Sequence, residues 1–187
     1  TQDIGIEDID LIGKATKQGI KLSLTQYAEV KNALTWYAER MNIETIVESE
    51  RGFAITLPSG NKVIGIIDVV MKTETGLLVL DHKYTNYIPT GEEVDENTQL
   101  KIYRYVKANE CPGLSVSGGI CNPKLHTITL QKSQSSIAET EEWLEYQIRL
   151  IEESKDKSPA LNNFCFYCEY LSSCEAVKET IENPFAG

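Results

Sequence analysis

Hydrophobic and polar positions change their period several times along this chain, and each change predicts an element. Apolar residues recur at helical spacing from Leu24 to Met41, which predicts a first helix beginning near residue 23. Apolar or alternating runs then predict strands at 43–49, 52–57, 62–70 and 77–83. The turn residues at 58–61 separate the second and third of these strands.

The second half of the chain predicts two helices and two more strands. A helix that carries Gln99 ends before Cys111, and a long helix runs from Ser135 to Ser154. The strands between these helices are predicted at about 114–121 and 126–131. Helices that flank a central mixed β-sheet make this an α/β fold. We expect an N-terminal arm at 1–22, a core at 23–160 and a cysteine-containing tail at 161–187 that packs on the core.

Two carboxylates and a lysine interrupt the apolar strands 62–70 and 77–83. Asp68 lies inside the first of these runs, and Asp81 and Lys83 end the second. A lone carboxylate costs several kcal/mol when it leaves water unless it is paired, hydrogen-bonded or bound to a cation. Because side chains alternate along a strand, Asp81 and Lys83 point to one side and His82 to the other. The alternative is two strand-end aspartates beside a solvated lysine, but the apolar flanks favour burial.

The connection between the two strands predicts how the carboxylates meet. Its polar residues and Gly76 indicate a hairpin. If the turn is centred between Glu74 and Thr75, Asp68 stands directly opposite Asp81, with Cβ atoms about 4.5–5.5 Å apart. A one-residue bulge would change this register. A divalent cation between the two carboxylates is the simplest relief of their repulsion, and oxygen ligands favour Mg²⁺ or Mn²⁺ over zinc.

Three motifs in order resemble the RecB-like branch of the PD-(D/E)XK nucleases. Gly65-Ile66-Ile67-Asp68 is followed by Asp81-His82-Lys83 and then by Gln99-Leu100-Lys101-Ile102-Tyr103. The resemblance covers about residues 23 to 174. It implies a restriction-endonuclease-like core with a mixed sheet flanked by helices, and it implies hydrolysis of phosphodiester bonds.

The resemblance also implies a role for each motif residue. Asp68 and Asp81 would hold the metal ion, and the carbonyl of His82 would add a ligand. Lys83 would assist the attacking water, since a cation aimed at developing negative charge stabilises it. Gln99 and Tyr103 are four residues apart, so on a helix they share one face beside the site.

The family often adds a third acidic or histidine ligand from the helix before the first strand. The predicted first helix contains no histidine, and Glu29 lies about where the resemblance would put this ligand. Glu39, Glu44 and Glu48 compete for the same role.

The tail carries a second constellation, Cys165, Cys168 and Cys174. In several RecB-like nucleases such a triplet and a far upstream cysteine bind an iron–sulfur cluster. No cysteine precedes Cys111 here, so Cys111, Cys121, a non-cysteine residue or a missing upstream segment would have to complete the site. Three interpretations stay open: a [4Fe-4S] cluster, Zn²⁺, or unligated thiols that are simply buried.

Composition and charge set bounds on these hypotheses. The 187 residues, 41% of them hydrophobic, suffice for one core domain, and no stretch approaches the length of a membrane span. Five cysteines without a secretory context indicate a reducing compartment, which we expect to be the cytoplasm of a prokaryote or of a phage host.

The net charge of -10 argues against tight binding of DNA, because affinity for duplex DNA rests largely on Lys and Arg neutralising phosphates. We therefore expect weak, salt-sensitive affinity, supplemented by a partner such as a helicase or recombination protein. Two groups of basic residues are candidates for phosphate contacts. They are Lys14, Lys17 and Lys21 in the arm, and Lys101, Arg104 and Lys107 on the Gln99 helix.

The function expected from the sequence is that of a divalent-metal-dependent deoxyribonuclease. We expect an exonuclease that acts on single- or double-stranded DNA ends in recombination, repair or phage DNA processing. The rival hypothesis is a nuclease-like scaffold that binds nucleic acid or a protein partner without cutting, with a zinc or iron–sulfur clip. His82 and His126 are too isolated to indicate a Ser-His or Cys-His catalytic pair.

Overall fold

A computed structural model of the chain describes residues 17–133, 136–155 and 161–182. The chain forms two compact units, the first ending at Glu145 and the second beginning at Tyr146. Among the described residues, no helix combines the length and the apolar character that crossing a bilayer requires.

The first unit is built on a five-stranded mixed sheet in which spatial order follows chain order. Its strands are β1 (Ile46–Thr56), β2 (Lys62–Lys72), β3 (Gly76–His82), β4 (Ser115–Asn122) and β5 (Thr127–Leu130). β3 and β4 pair in parallel, and the other neighbours are antiparallel. A parallel pair needs a long crossover, and two helices supply it.

The helices are α1 (Leu24–Arg40), α2 (Gly91–Asp95), α3 (Thr98–Glu110), α4 (Ile137–Glu153) and α5 (Glu175–Glu182). Side chains cap most of the helix starts: α1 begins with a capping box in which Ser23 and Gln26 bond each other's backbone N–H groups. The Asn97 side chain accepts from the Leu100 N–H and caps the start of α3, the helix that carries Gln99.

The sheet buries apolar side chains on both of its faces, and β3 shows the alternation directly. Leu77 and Val79 belong to one core cluster together with Leu100 and Val106 of α3. Leu80 belongs to a second cluster, which includes Met41. Leu78 packs against this cluster, as do the aromatic residues Trp36 and Tyr37 of α1. Continuing this alternation, Asp81 follows Leu77 and Val79 toward α3, whereas His82 turns toward α1.

The α/β fold class with a mixed sheet flanked by helices is confirmed. The predicted strands 43–49 and 52–57 are wrong in detail. Residues Ile43–Thr45 form a 3-10 turn, and β1 is one continuous strand from Ile46 to Thr56. The ladder of β1 with β2 keeps one register from Glu48 to Thr56, across Glu50 with its φ of 49°, and its register shift lies between Ile46 and Glu48.

The helix α2 has no counterpart among the elements predicted from the sequence. Its signal was present, because Thr90 and Glu93 form a capping box that satisfies both orphan backbone donors. The second unit contains two 3-10 turns, Asn163–Tyr167 and Leu171–Ser173, followed by α5. The predicted domain bounds at 22 and 160, and the packing of the tail on the core, stay predictions.

Candidate active site at the ends of β2 and β3

Four side chains form a connected network where β3 ends and α3 begins. Lys83 Nζ donates to Asp81 Oδ1 at 3.0 Å and to Gln99 Oε1 at 3.1 Å. Gln99 Nε2 in turn donates to the Tyr103 hydroxyl oxygen at 2.6 Å. The structure thus brings together Asp81, Lys83, Gln99 and Tyr103, as the order of the sequence motifs predicted.

Asp68 reaches the same place from β2 through the predicted register. Val69 pairs with Leu80 and Val70 with Val79, so extending the ladder by one step sets Asp68 opposite Asp81. The Asp68 carboxylate accepts the His82 N–H at 2.8 Å, which replaces a backbone bond with a side-chain one. The two aspartates therefore meet at the point where the β2–β3 ladder ends.

Gly65 begins the motif that ends at Asp68, and the Phe53 ring leaves no room for a side chain at this position. A Cβ atom there would lie 2.6 Å from Cζ of the Phe53 ring, which packs over this position and meets Tyr103 edge to face. A side chain at 65 would push that ring away from the helix face that carries Tyr103.

The geometry at Asp81 suits a cation. Its side chain is 1% exposed, and burial is the main reason why the pKa of Asp81 is raised, an effect that Lys83 opposes. Oδ2 lies 2.9 Å from Lys83 Nζ but off the direction of a hydrogen bond, so among the described residues it accepts none. A buried carboxylate oxygen with free lone pairs is the donor that a hard divalent ion requires.

His82 is held on the opposite side. Its ring meets Tyr37 edge to face, with centroids 5.3 Å apart, and its Nδ1 lies 3.9 Å from Asp68 Oδ2. Burial lowers the pKa of His82, against the attraction of Asp68 and Asp81 for the charged form. Its predicted role as a ligand depends on its carbonyl and stays a prediction.

Glu29 has other partners than the two aspartates. Its Oε1 lies 3.0 Å from Lys124 Nζ and accepts from the Tyr84 hydroxyl at 3.2 Å. The bond from Lys124 lowers the pKa of Glu29. Within the described part of the chain, no three His, Cys, Asp or Glu residues gather in a way that holds a metal ion. The role of Glu29 as a third ligand therefore stays a prediction.

Glu50 is an acidic neighbour that the sequence did not single out. It lies between the pairs Ser49–Val69 and Arg51–Ile67, which sets it opposite Asp68 on the other side of β2. Its charge acts on both His82 and Tyr103. The positive φ of Glu50 is a local backbone feature that no residue pattern predicted.

The competing acids lie elsewhere. Glu48 accepts from Lys107 at 2.9 Å and so belongs to an ion-pair cluster at the far end of α3. Glu39 and Glu44 are exposed.

The predicted basic surface on the Gln99 helix is wrong. Arg104 is buried and its Nε donates to the Val116 carbonyl at 2.9 Å. Lys107 is buried between Glu48 and Glu110. Lys101 pairs with Glu96 at 2.7 Å. Helical spacing located these residues on one helix but did not show that packing turns two of them inward. Lys17 and Lys21 of the arm are exposed, and Lys14 lies outside the described residues.

The cysteine tail does not assemble a metal centre among the described residues. Cys165 and Cys174 are partly buried and Cys168 is exposed. The Cys165 thiol accepts the Asn162 N–H at 3.3 Å, and Cys168 N–H donates to the Cys165 carbonyl. Of the other two cysteines, Cys111 is partly buried and Cys121 is buried, where burial raises the pKa of its thiol to about 11.

The fold and the site together define a class: an α/β protein with paired carboxylates and a lysine at the ends of two adjacent strands. The family comparison agrees, since the model of the PD-(D/E)XK nuclease superfamily matches residues 13–175. The chain belongs to this superfamily, whose members are typically nucleases that depend on Mg²⁺ or Mn²⁺ and bind DNA as substrate.

The comparisons with individual proteins are more distant. A solved structure titled "Crystal structure of SSO0001" is similar over 88% of this chain and 77% of that chain, with 15% sequence identity and a TM-score of 0.47. No curated protein matches this chain.

Proposed function

We propose that this chain is a divalent-metal-dependent deoxyribonuclease of the RecB-like branch, an exonuclease that hydrolyses phosphodiester bonds at DNA ends. The observation that carries the proposal is the Asp81 carboxylate. The Lys83 ammonium lies 3.0 Å from Oδ1 and 2.9 Å from Oδ2, and the buried Oδ2 accepts no hydrogen bond among the described residues. A buried carboxylate oxygen that accepts no hydrogen bond has lone pairs left for a hard cation.

The residues that would hold Mg²⁺ or Mn²⁺ are Asp68, Asp81 and the carbonyl of His82, with Glu29 as the predicted third acidic ligand. When bound, such an ion lowers the pKa of water and neutralises charge on a phosphate. The chain supplies the rest. Lys83 is held by Asp81 and Gln99 yet keeps 41% of its side chain exposed, so its ammonium can face a phosphate oxygen.

Gln99 and Tyr103 hold the Lys83 side chain in position through hydrogen bonds. The Gln99 amide bridges the ammonium and the Tyr103 hydroxyl, which limits the positions that the lysine can adopt. A catalytic cation that is held in one place increases the reaction rate, because it need not reorganise during the reaction. Gln99 and Tyr103 are therefore positioning residues in this proposal.

The test is cleavage of end-labelled single- and double-stranded DNA with Mn²⁺, Mg²⁺ or EDTA. We expect the wild-type protein to shorten labelled DNA from its ends with either ion and to do nothing in EDTA. Lys83→Ala and Asp81→Asn should both be inactive. Lys132→Ala is the matched control, since Lys132 is an exposed lysine that also pairs with a carboxylate, Glu92, at 2.6 Å.

Two results would contradict the proposal. Equal cleavage by the wild type and Lys83→Ala would show that the activity does not depend on Lys83, and the catalytic assignment would fail. DNA binding without cleavage in any ion would favour the scaffold hypothesis. Titration calorimetry with Mn²⁺ separates the metal from the chemistry, because Asp81→Asn should lose Mn²⁺ binding whereas Lys83→Ala should keep it.

The place of this activity in recombination, repair or phage DNA processing, and a helicase or recombination protein as its partner, are part of the proposal. So is a [4Fe-4S] cluster or Zn²⁺ at Cys165, Cys168 and Cys174 with a further ligand. Protein purified without oxygen should be brown if the cluster forms, and elemental analysis should find zinc if it does not. Absence of both metals from the native protein would leave unligated thiols as the correct interpretation.

A further inference from the structure

A cavity of about 290 Å³ opens beside the candidate catalytic lysine, on the α1 side of the sheet. Its lining is Leu34, Tyr37, His82, Lys83, Tyr84 and Pro123. This volume is at the lower limit of small-molecule sites, roughly 300 Å³, so it admits one ring-sized group. Lys83 forms part of the cavity wall, while its ammonium binds Asp81 and Gln99 toward α3, so the cavity and the candidate site adjoin at this residue.

Tyr84 presents its ring at this cavity and is held in place. The side chain is 50% exposed, which is unusual for an aromatic residue directly after a buried strand. Its hydroxyl donates to Glu29 at 3.2 Å, and Lys124 Nζ lies 5.4 Å from its ring centroid while also pairing with Glu29. Glu29 and Lys124 thus fix the position of an aromatic ring that remains accessible.

The chemistry of the lining selects the kind of group that fits. Two tyrosine rings, the His82 side of the wall, a leucine and a proline offer flat and largely apolar surfaces. A nucleobase matches this, because every base has a π-face that stacks on aromatic side chains regardless of sequence. A phosphate attracted to Lys83 and a base that stacks on Tyr84 are parts of the same nucleotide strand.

The net charge of the protein favours a contact that does not depend on charge. The net charge is -10, and two of the cations expected to contact phosphate, Arg104 and Lys107, are buried. Electrostatic attraction, which dominates most binding of nucleic acid, is therefore weak here. Stacking supplies affinity that depends little on charge and salt.

We infer that the Tyr84 cavity binds an unpaired nucleobase of the substrate strand next to the phosphate that is cut, and that Glu29 positions the Tyr84 ring. The inference rests on the proposed nuclease function. It specifies the substrate as single-stranded DNA or an unpaired end, because a base inside a duplex is stacked on its neighbours and must be extruded before it can enter a pocket.

The first experiment measures base discrimination without cleavage. Fluorescence anisotropy in EDTA compares a short labelled oligothymidylate with an oligomer of equal length made of abasic residues. We expect the wild type to bind the thymidylate about ten-fold or more tightly, in line with the usual worth of one stacked base. Tyr84→Leu should bind both oligomers equally. Tyr84→Phe keeps the ring but loses the hydrogen bond to Glu29, so it should keep only part of the preference.

A matched control is Tyr146→Leu. Tyr146 is 47% exposed and has Arg149 5.6 Å from its ring centroid, so it resembles Tyr84 in exposure and in its cation neighbour but lies outside the cavity. Its variant should discriminate like the wild type. A wild-type ratio of one, or an unchanged ratio in Tyr84→Leu, would overturn the inference.

Tyr84→Trp guards against a misfolded leucine variant. The larger ring should retain binding, and its fluorescence should be quenched by the thymidylate oligomer and not by the abasic one. Quenching that is the same with both oligomers would contradict stacking on this ring.

Glu29 is tested in the same assay in EDTA, so that no metal ion contributes. Glu29→Ala should reduce base discrimination several-fold, and Glu29→Gln should restore it because its amide oxygen can still accept from the Tyr84 hydroxyl. Unchanged discrimination in Glu29→Ala would overturn the positioning role.

Cleavage assays separate this inference from the proposed function. If the wild type discriminates bases but cuts no DNA, the nuclease proposal fails and the base site stands. If the wild type cuts, but Tyr84→Leu cuts thymidylate and abasic strands at wild-type rates, the base site fails and the nuclease proposal stands.

Discussion

The two ends of α3 hold two lysine–carboxylate clusters that look alike in contact distances and differ in everything else. At the N-terminal end, Gln99 binds Lys83, whose ammonium lies 2.9 Å from Asp81. At the C-terminal end, Lys107 lies 2.9 Å from Glu48 and 2.8 Å from Glu110. Distances alone would assign both clusters the same role.

The two clusters differ in the exposure of the lysine and in how fully the carboxylates are hydrogen-bonded. Lys83 is 41% exposed. The Asp81 carboxylate beside it has a buried oxygen that accepts no hydrogen bond among the described residues. Lys107 is 4% exposed and enclosed by two carboxylates, and Arg51 completes the cluster by binding Glu110 at 2.7 Å. An ammonium with an open side next to an unsatisfied carboxylate can act on a substrate, whereas a satisfied one holds the fold together.

The largest expected effect is on catalysis at the Lys83 end. Lys83→Ala should reduce DNA cleavage with Mn²⁺ by roughly 10²–10³-fold, the usual loss when a donor aimed at developing charge is removed. Lys107→Met should cut at close to the wild-type rate when both are assayed well below their melting temperatures. A similar loss of cleavage in both variants would remove the distinction between the clusters.

The next effect is on stability at the Lys107 end. Lys107→Met should lower the free energy of unfolding by about 2 kcal/mol, less than for a fully buried pair because both glutamates keep some access to water. Urea denaturation measures this as a lower midpoint with an unchanged slope. Lys132→Met, which breaks an exposed pair with Glu92, should change it by less than about 0.5 kcal/mol. Equal losses in the two variants would show that burial of Lys107 adds nothing.

Acid should erase the stabilising effect of Lys107. Burial alone would raise the pKa of Glu110, but hydrogen bonds from Arg51 and Lys107 outweigh burial and hold that pKa below its usual value of 4.5. A carboxylate with a lowered pKa stabilises the fold at pH above its unfolded pKa, and this is lost as pH falls through the folded pKa. Thermal melts from about pH 7 to about pH 3 should therefore show the gap between wild type and Lys107→Met closing below about pH 4.5. A gap that stays constant over this range would show that Glu110 is not coupled to Lys107.

The smallest expected effect concerns Tyr103. Tyr103→Phe removes the hydroxyl that accepts from Gln99 Nε2 at 2.6 Å but keeps the ring against Phe53. We expect cleavage to fall by only a few-fold, since one neutral hydrogen bond is worth about 1 kcal/mol. Steady-state kinetics should show the change in kcat and not in KM. A change in KM alone would place Tyr103 in substrate binding instead of in holding Gln99.

The motifs predicted which side chains come together because they sit on elements whose geometry is local. A hairpin centred between Glu74 and Thr75 sets the register of β2 and β3, so Asp68 and Asp81 had to face each other. The i, i+4 spacing of Gln99 and Tyr103 made their contact a property of the helix. The basic residues of the same helix were misread because spacing says which residues share a face, not which face is buried.

Alternating strands, a hairpin turn and a helix with Gln99 and Tyr103 one turn apart are consequences of residue order, because each depends on bonds or torsions a few residues long. Two facts needed the folded chain: the burial of Lys107 and Arg104, and the pairing of Glu29 with Tyr84 and Lys124. Each depends on residues far apart in sequence, whose approach is decided by how sheet and helices pack.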